Sequence, residues 1–190
     1  MATDLLTLAE YKAHVGINST TQDTAISAII PKVSALVKTI CRRTFVDYNT
    51  TSKIEVVNGG TGASLFPKEY PIIIFTSLEY SIDYGDTYTA LVRNTDYIVN
   101  LEDNTIDAVN GNFPKVINGY RFTYTGGYAT LPVDLKLAVC DLVTYYIKND
   151  MSVHSPKAPG TNSVQIEYIT TTALPAHIKR ILDLYIGSFD

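Results

Sequence analysis

The sequence is poor in the residues that build catalytic and metal sites. Its 190 residues include no tryptophan, two cysteines and three histidines, and His14, His154 and His177 stand far apart. It has no pair of histidines at metal-binding spacing, no Cys-x-x-Cys and no Gly-x-Ser-x-Gly. These absences exclude the common motifs of zinc sites and serine hydrolases. We therefore expect neither a metal nor a cofactor.

Basic residues and long apolar runs are also scarce. The net charge of -4 and the pI of about 5.3 argue against a dedicated DNA grip, because affinity for nucleic acid comes largely from Lys and Arg. No stretch approaches the roughly 20 apolar residues of a membrane-spanning helix, so we expect no membrane association. Residues 1–6 lack the basic start and apolar core of a secretory signal, which predicts folding in a cytoplasm. Cys41 and Cys140 lie in apolar helical patterns and are expected to be buried free thiols.

The composition is that of a globular protein. Hydrophobic residues make up 46% of the chain and charged residues 18%, and the length is typical of one domain. We predict a single domain over residues 1–190. Its parts are a helical region over 1–46, a β-rich insertion over 53–128, a central helix over 131–149, a flexible loop over 150–163, and a strand with a C-terminal helix over 164–190.

A short helix is predicted near the N-terminus. Thr7 followed by Glu10 is a capping box, in which each side chain accepts a hydrogen bond from the other residue's backbone N–H. The helix should run from Leu8 to Val15 and end at Gly16.

A second, longer helix should follow. Thr20 or Thr21 is the predicted N-cap, and apolar residues then recur at helical spacing as far as Cys41. Pro31 lies inside this pattern and lacks the backbone N–H that a helix needs. We therefore expect a kink or a restart of the helix at Pro31.

The middle of the chain changes to a period of about two. Segments rich in β-branched and aromatic residues alternate there with turn sequences such as Asn58-Gly59-Gly60. The predicted strands are Lys53–Val57, Ile72–Ile82, Tyr88–Arg93, Tyr97–Leu101 and Tyr120–Tyr124. They favour an antiparallel meander or small barrel. The predicted fold class is α+β, a helical bundle of two N-terminal helices, a long central helix and a C-terminal helix with this β insertion.

The central helix should begin at Pro132 and carry two apolar faces. One face comprises Leu135, Ala138, Val139, Leu142 and Tyr146. The second comprises Val133, Leu137, Cys140, Val143 and Ile147. Each apolar face must be buried against other residues, and a chain of this size has few other helices that could pack on both faces. We therefore predict that the second face contacts a neighbouring subunit.

The C-terminal part combines a polar loop, an alternating segment and a last helix. The loop over 150–163 is interrupted by Pro and Gly and is predicted to be mobile, and residues 164–169 alternate like an edge strand. The helix should start near Pro175 and end at Gly187. Its apolar stripe comprises Ile178, Ile181, Leu182 and Tyr185. The stripe either packs on the chain itself or lies in a groove of a partner, and Phe189 beyond the helix favours a partner.

Three stretches, together with the order of the helices, form a distinctive combination. They are Leu6–Lys12 with the later Arg42-Arg43-Thr44-Phe45, Tyr70–Ile74 leading into Thr76-Ser77-Leu78, and Tyr124-Thr125-Gly126-Gly127-Tyr128 followed by Leu131-Pro132. The combination resembles the head-tail connector proteins of tailed bacteriophages, also called adaptor or head-completion proteins. The resemblance covers residues 5–149 and 174–185.

This resemblance implies a structural virion protein and not an enzyme. It implies a ring, of twelve subunits, that docks beneath the portal protein and offers its far face to a neck stopper or tail-completion protein. Genomic DNA would pass through the ring without sequence-specific binding, which suits the acidic balance. The protein would be made in the host bacterial cytoplasm and end in the virion neck. The portal-contact residues implied in the C-terminal region are Ile178, Ile181, Leu182, Tyr185 and Phe189.

Three alternatives stay open at this point. The chain could be a neck stopper or tail-completion protein, which would bind the tail side. It could also be a monomeric β-rich carbohydrate-binding module, which its 14 tyrosines favour. A small hydrolase that uses Cys140 and His154 is the least supported of the three.

Overall fold

The computed structural model describes residues 3–60, 62–153 and 174–187. These residues form four helices and seven strands in two compact units. Of the described residues, 3, 43–60, 62–131 and 187 form the β unit, and 4–42, 132–153 and 174–186 form the helical unit. The α+β class predicted from the sequence is confirmed, whereas the assignment of the whole chain to one domain stays a prediction.

Helix α1, Leu8–Val15, has the predicted bounds. Thr7 Oγ1 accepts a hydrogen bond from the Glu10 backbone N–H at 3.2 Å, and Glu10 Oε2 accepts one from the Thr7 backbone N–H at 2.9 Å. Gly16 ends the helix with a φ of 76°, a left-handed conformation that glycine adopts at little cost. The predicted capping box and C-cap are therefore confirmed.

Helix α2, Asp23–Cys41, differs from the prediction at its start. Gln22 is the N-cap and makes no capping hydrogen bond with its side chain, so a cap at Thr20 or Thr21 is wrong. The Thr21 hydroxyl instead bonds to that of Ser19 in the preceding turn. The helix does not restart at Pro31, which is exposed, so water can satisfy the carbonyl that the missing N–H leaves free.

Among the described helices, α2 is the one whose length and composition would allow it to cross a membrane. This finding corrects the expectation that no stretch approaches such a span. A core helix of a soluble protein passes the same test. Helix α2 packs against the other three helices of its unit. The apolar residues that it buries are Ile26, Ile30, Val33, Val37 and Cys41.

The two C-terminal helices have ends that the sequence did not indicate. Helix α3 runs from Val133 to Val153, so the predicted loop over 150–163 does not begin at residue 150. Helix α4, Ala176–Asp183, is capped by Leu184 and not by Gly187. Its last turn closes with short-range bonds from the Leu184 and Tyr185 N–H groups to carbonyls three residues back. The rest of the predicted loop and the predicted strand over 164–169 lie outside the described residues.

The β unit contains two antiparallel sheets. Its strands are β1 Lys53–Val57, β2 Ser64–Leu65, β3 Ile72–Tyr80, β4 Thr89–Ala90, β5 Tyr97–Asn100, β6 Thr105–Ala108 and β7 Tyr120–Gly126. One sheet has the order β1-β7-β3-β4 and the other β2-β6-β5. Because β7 lies between β1 and β3, the first sheet is not a sequential meander. The described strands form no closed barrel. The inward side chains of β3 and β7, including Leu78, Phe122 and Tyr124, build the core of this unit.

Candidate assembly surface

Helix α3 buries the first of its two predicted apolar faces. Leu135, Ala138, Val139 and Leu142 are buried, and Tyr146 at the end of the face is 39% exposed. Helices α2 and α4 pack against α3 within the helical unit. The first face of α3 is therefore core.

The second face of α3 divides into a buried and an exposed part. Cys140 and Val143 are buried within the chain, so they present no surface to a neighbouring subunit, contrary to the prediction. Val133 is 86% exposed and Leu137 43% exposed, and Ile147 is half-buried. The sequence did not predict this division, because the burial of Cys140 and Val143 depends on how the rest of the chain packs around α3. The apolar pattern of the helix does not show that packing. Val133 and Leu137, one turn apart, remain as exposed apolar surface.

The segment that follows α4 is tied to the first turn of α3. The Tyr185 hydroxyl lies 2.7 Å from Asp134 Oδ1 and 2.8 Å from Oδ2, so it donates to that carboxylate. Leu184 beside Tyr185 is 73% exposed, and Ile186 on its other side is 37% exposed. The hydrogen bond thus brings this pair to the end of α3 that carries Val133. We call Val133, Leu137, Leu184 and Ile186 the apolar patch.

Helix α4 docks on its own chain through two of the residues predicted to contact a portal. Ile178 and Leu182 are fully buried, and Cys41 Sγ lies 3.7 Å from the Leu182 carbonyl oxygen. A docked α4 therefore cannot offer Ile178 or Leu182 to a partner, which corrects that part of the prediction. Ile181 and Tyr185 are half-buried. Phe189 lies outside the described residues.

Three polar contacts hold α1 against its neighbours. Lys136 Nζ donates to Glu10 Oε1 at 2.7 Å, and the Tyr11 hydroxyl lies 3.0 Å from that of Thr144. Lys12 forms an ion pair with Asp23 at 2.7 Å. The hydrogen bonds from Lys136 and Thr7 lower the pKa of Glu10 to about 2. These contacts fix α3, and hence Leu137 beside Lys136, within the helical unit.

A buried polar cluster in the β unit joins Arg43, Tyr70 and Tyr124, one residue from each of the three stretches on which the resemblance rests. Arg43 is buried, its Nη2 donates to the Tyr70 carbonyl, and its guanidinium carbon lies 3.3 Å from the centre of the Tyr70 ring. Glu69 accepts hydrogen bonds from the Thr44 backbone N–H at 2.9 Å and hydroxyl at 3.0 Å, and from the Phe45 N–H at 3.2 Å. The residues around 43–45 and 69–70 are thereby held together.

The third stretch joins the cluster through Tyr124. Its hydroxyl accepts from the Glu69 backbone N–H at 3.0 Å and donates to Glu55 Oε2 at 2.8 Å. Burial, and then the nearby Glu55 carboxylate, raise the pKa of the Tyr124 phenol. Lys53 Nζ lies 3.5 Å from Glu55 and 3.6 Å from Glu69. The Glu55 and Glu69 carboxylates are buried, and both lie near the Lys53 ammonium. The cluster is therefore a scaffold and not a site open to substrate.

Two glycines allow the backbones of this cluster to approach each other closely. A Cβ on Gly127, whose φ is 97°, would lie 2.2 Å from the Phe45 carbonyl oxygen, and one on Gly126 would lie 2.5 Å from that of Glu69. The Tyr128 N–H donates to the Phe45 carbonyl at 2.7 Å. The cluster therefore joins the segments where the chain enters and leaves the β unit.

The residues considered for catalysis are not arranged for it. Cys140 is buried, and burial raises the pKa of its thiol to about 11, which keeps it protonated at neutral pH. His14 and His177 are exposed, and His154 lies outside the described residues. No group of three or more metal-ligating side chains occurs in the described ranges.

Comparisons with known proteins agree with these observations. The family model of the head completion protein matches residues 4–186. A structure of the neck of an empty GTA particle, computed with C6 symmetry, is 17% identical with a TM-score of 0.58, and covers 98% of this chain and 91% of that chain. A virion of a native gene transfer agent (GTA) particle gives 16% identity and a TM-score of 0.58, with the same coverage.

A third structure, the neck of a native GTA particle computed with C12 symmetry, is 15% identical with a TM-score of 0.53, and covers 100% of this chain and 97% of that chain. No curated protein matches the chain. The structural likenesses show a shared fold. The family match extends over nearly the whole sequence and confirms the resemblance to head-completion proteins, so the chain belongs to the head completion protein family.

Proposed function

We propose that this protein forms a ring in the virion neck, between the portal and the tail, and completes the filled head for tail attachment. The family match over residues 4–186 is the observation that carries this proposal. The same fold occurs in neck structures computed with sixfold and twelvefold symmetry, which supports a ring of twelve subunits. The match also favours this role over that of a monomeric carbohydrate-binding module.

Neighbouring subunits in the proposed ring meet through Val133 and Leu137, with Ile147 at the edge of the contact. Val133 and Leu137 are exposed apolar residues on a helix whose other side is core. Exposed apolar surface of this kind is typical of protein interfaces. Cys140 and Val143 act indirectly, because they pack α3 into its own unit.

The portal contact in this proposal involves the segment after α4. Leu184 and Ile186 are its exposed apolar side chains, and Tyr185 holds it to Asp134. Phe189 follows three residues later in the sequence and is proposed to extend this contact. Ile178 and Leu182 keep α4 docked, and Ile181 borders the contact.

The chain's charge is compatible with a channel for DNA. A net charge of -4 gives no electrostatic grip on phosphate, so DNA would pass through the ring without sequence-specific binding. A neck stopper or tail-completion protein would bind the far side of the ring. No catalytic step forms part of this role.

Co-sedimentation with purified cognate portal rings tests the portal contact. The double variant Leu184→Asp and Ile186→Asp should lose binding, because two carboxylates would be desolvated in an apolar contact. The control is Ile117→Asp, which adds a carboxylate at a position 62% exposed in the β unit. Equal binding of the double variant and wild type, with both folded, would remove the segment after α4 from the portal contact.

A further inference from the structure

The β unit has an open depression that none of the contacts above uses. Its volume is about 260 Å³. The residues that form its floor and rim include Tyr80, Asp96, Asn110, Asn112, Phe113 and Tyr120. Tyr80 packs on Tyr120 with their ring centres 5.1 Å apart, and Phe113 packs edge-on against Tyr120 at 5.0 Å. The depression thus has an aromatic floor and a polar rim.

The size of this depression favours a single side chain over a whole small molecule. Small-molecule sites are typically clefts of about 300–1,000 Å³ that enclose most of the ligand. This depression is smaller, and Asp96, Asn110 and Asn112 on its rim are exposed. Tyr120 and Phe113 are buried in the floor, so an occupant would contact the half-buried ring of Tyr80.

The charge of the depression indicates the sign of the occupant. Asp96 is the charged residue among the described lining residues, and its Oδ2 accepts from the Val92 backbone N–H at 2.7 Å. Its Oδ1 has no hydrogen-bond partner within the described ranges. Arg93 is nearby in sequence, and the ion pairs among the described residues include none between Arg93 and Asp96. Residues 80–120, which span the lining, contain six acidic residues and two basic residues, so this segment carries a net negative charge that favours a cationic occupant.

We infer that this depression binds an arginine side chain presented by a partner protein. A guanidinium is planar, donates two parallel hydrogen bonds to a carboxylate and stacks on an aromatic ring, whereas an ammonium has no planar fork. Asp96 supplies the carboxylate and Tyr80 the ring. The amide oxygens of Asn110 and Asn112 are acceptors for the remaining N–H groups. This contact lies in the β unit and is independent of the apolar patch, so it adds a second docking point to the proposed function.

Saturation-transfer difference NMR with N-acetyl-arginine-N-methylamide tests this inference, since it detects the probe whether the protein is a monomer or a ring. The neutral isostere is the matching citrulline derivative. The arginine probe should give a saturable signal and the citrulline probe should not. Asp96→Asn should weaken binding about tenfold, because a charge-assisted hydrogen bond becomes a neutral one. Asparagine keeps an acceptor for the Val92 N–H, so the turn should remain intact.

Two further variants separate binding in the depression from general charge effects. Asp86→Asn removes the same charge from the same unit outside the lining and should change affinity by no more than about twofold. Asn112→Arg should fill the site with a resident guanidinium and abolish the probe signal without unfolding the protein, because Asn112 is exposed. Equal signals from the arginine and citrulline probes, or unchanged binding to Asp96→Asn, would overturn the inference. Displacement of the arginine probe by N-acetylglucosamine would assign the depression to saccharides and overturn it as well.

Discussion

Glu10 and Lys136 connect the first helix to the central one through a carboxylate that has two roles. Glu10 Oε2 accepts from the Thr7 backbone and hydroxyl, while Glu10 Oε1 accepts from Lys136 Nζ at 2.7 Å. The same side chain therefore caps α1 and attaches it to α3. Because α3 carries Val133 and Leu137, this contact contributes to holding the proposed subunit interface in place.

Glu10→Gln should lower the free energy of unfolding at pH 7 by about 0.5–1 kcal/mol, since the pair is partly exposed and screened by solvent. The pKa of Glu10 is lowered from 4.5 to about 2 in the folded protein. Its stabilising effect is therefore complete above pH 4.5 and disappears as the pH falls towards 2. Urea unfolding at pH 7 and at pH 3 measures this effect. The difference in unfolding free energy between Glu10→Gln and wild type should be smaller at pH 3 than at pH 7. Glu102→Gln, at an exposed position, is the control, and the same narrowing in that variant would contradict the assignment.

Leu142→Ala should lower the free energy of unfolding by about 2–5 kcal/mol, because the fully buried leucine leaves a cavity in the core face of α3. Leu137→Ala on the same helix is the matched control and should cost less than about 1 kcal/mol in the free subunit. Thermal or urea unfolding of both variants measures the contrast. Equal losses would show that the two faces of α3 are not covered as described.

Gly127→Ala should be more destabilising than Gly111→Ala. Both glycines have a positive φ, but an added Cβ meets the Phe45 carbonyl oxygen at Gly127 and no atom within 4 Å at Gly111. The alanine at residue 111 should cost about 1 kcal/mol from backbone strain alone, and the one at residue 127 clearly more. Chemical denaturation of the two variants tests whether the β unit needs this close approach. Similar losses would contradict that need.

Cys140 should resist alkylation in the folded protein. Burial raises the pKa of its thiol to about 11, so little thiolate exists at pH 8. Mass spectrometry after iodoacetamide treatment should find Cys140 unmodified in native protein and fully modified in urea. Rapid modification of the native protein would show instead that this thiol is accessible and reactive.

The local features of the fold could be predicted from the sequence, and the distant contacts could not. The Thr7–Glu10 capping box and Gly16 fix α1 within a few residues of chain, and the alternation in β1 and β3 reveals those strands. Strand β6 was missed because it has four residues, polar Thr105 and Asp107 among them, and it directly follows turn sequence. The insertion of β7 between β1 and β3 depends on contacts across most of the unit.

The candidate sites likewise depend on distant contacts that could not be predicted from the sequence. Hydropathy assigns Arg43, Glu55 and Glu69 to the surface, yet all three are buried and interact in a cluster. The sequence motifs around them carried the family resemblance without indicating that they meet. The apolar pattern of α3 correctly predicted that the helix carries two apolar faces. It could not show that Cys140 and Val143 are covered from within the chain, because cover depends on how neighbouring helices pack.

The central claim is that the chain assembles into a neck ring through α3, and the mass of protein bound per portal ring tests it most directly. Light scattering of purified complexes should give twelve chains of 20.9 kDa per portal ring for wild type. The double variant Val133→Asp and Leu137→Asp, folded and as stable as wild type, should fail to complete the ring. A bound mass that does not correspond to a ring, or full assembly by the double variant, would contradict the account.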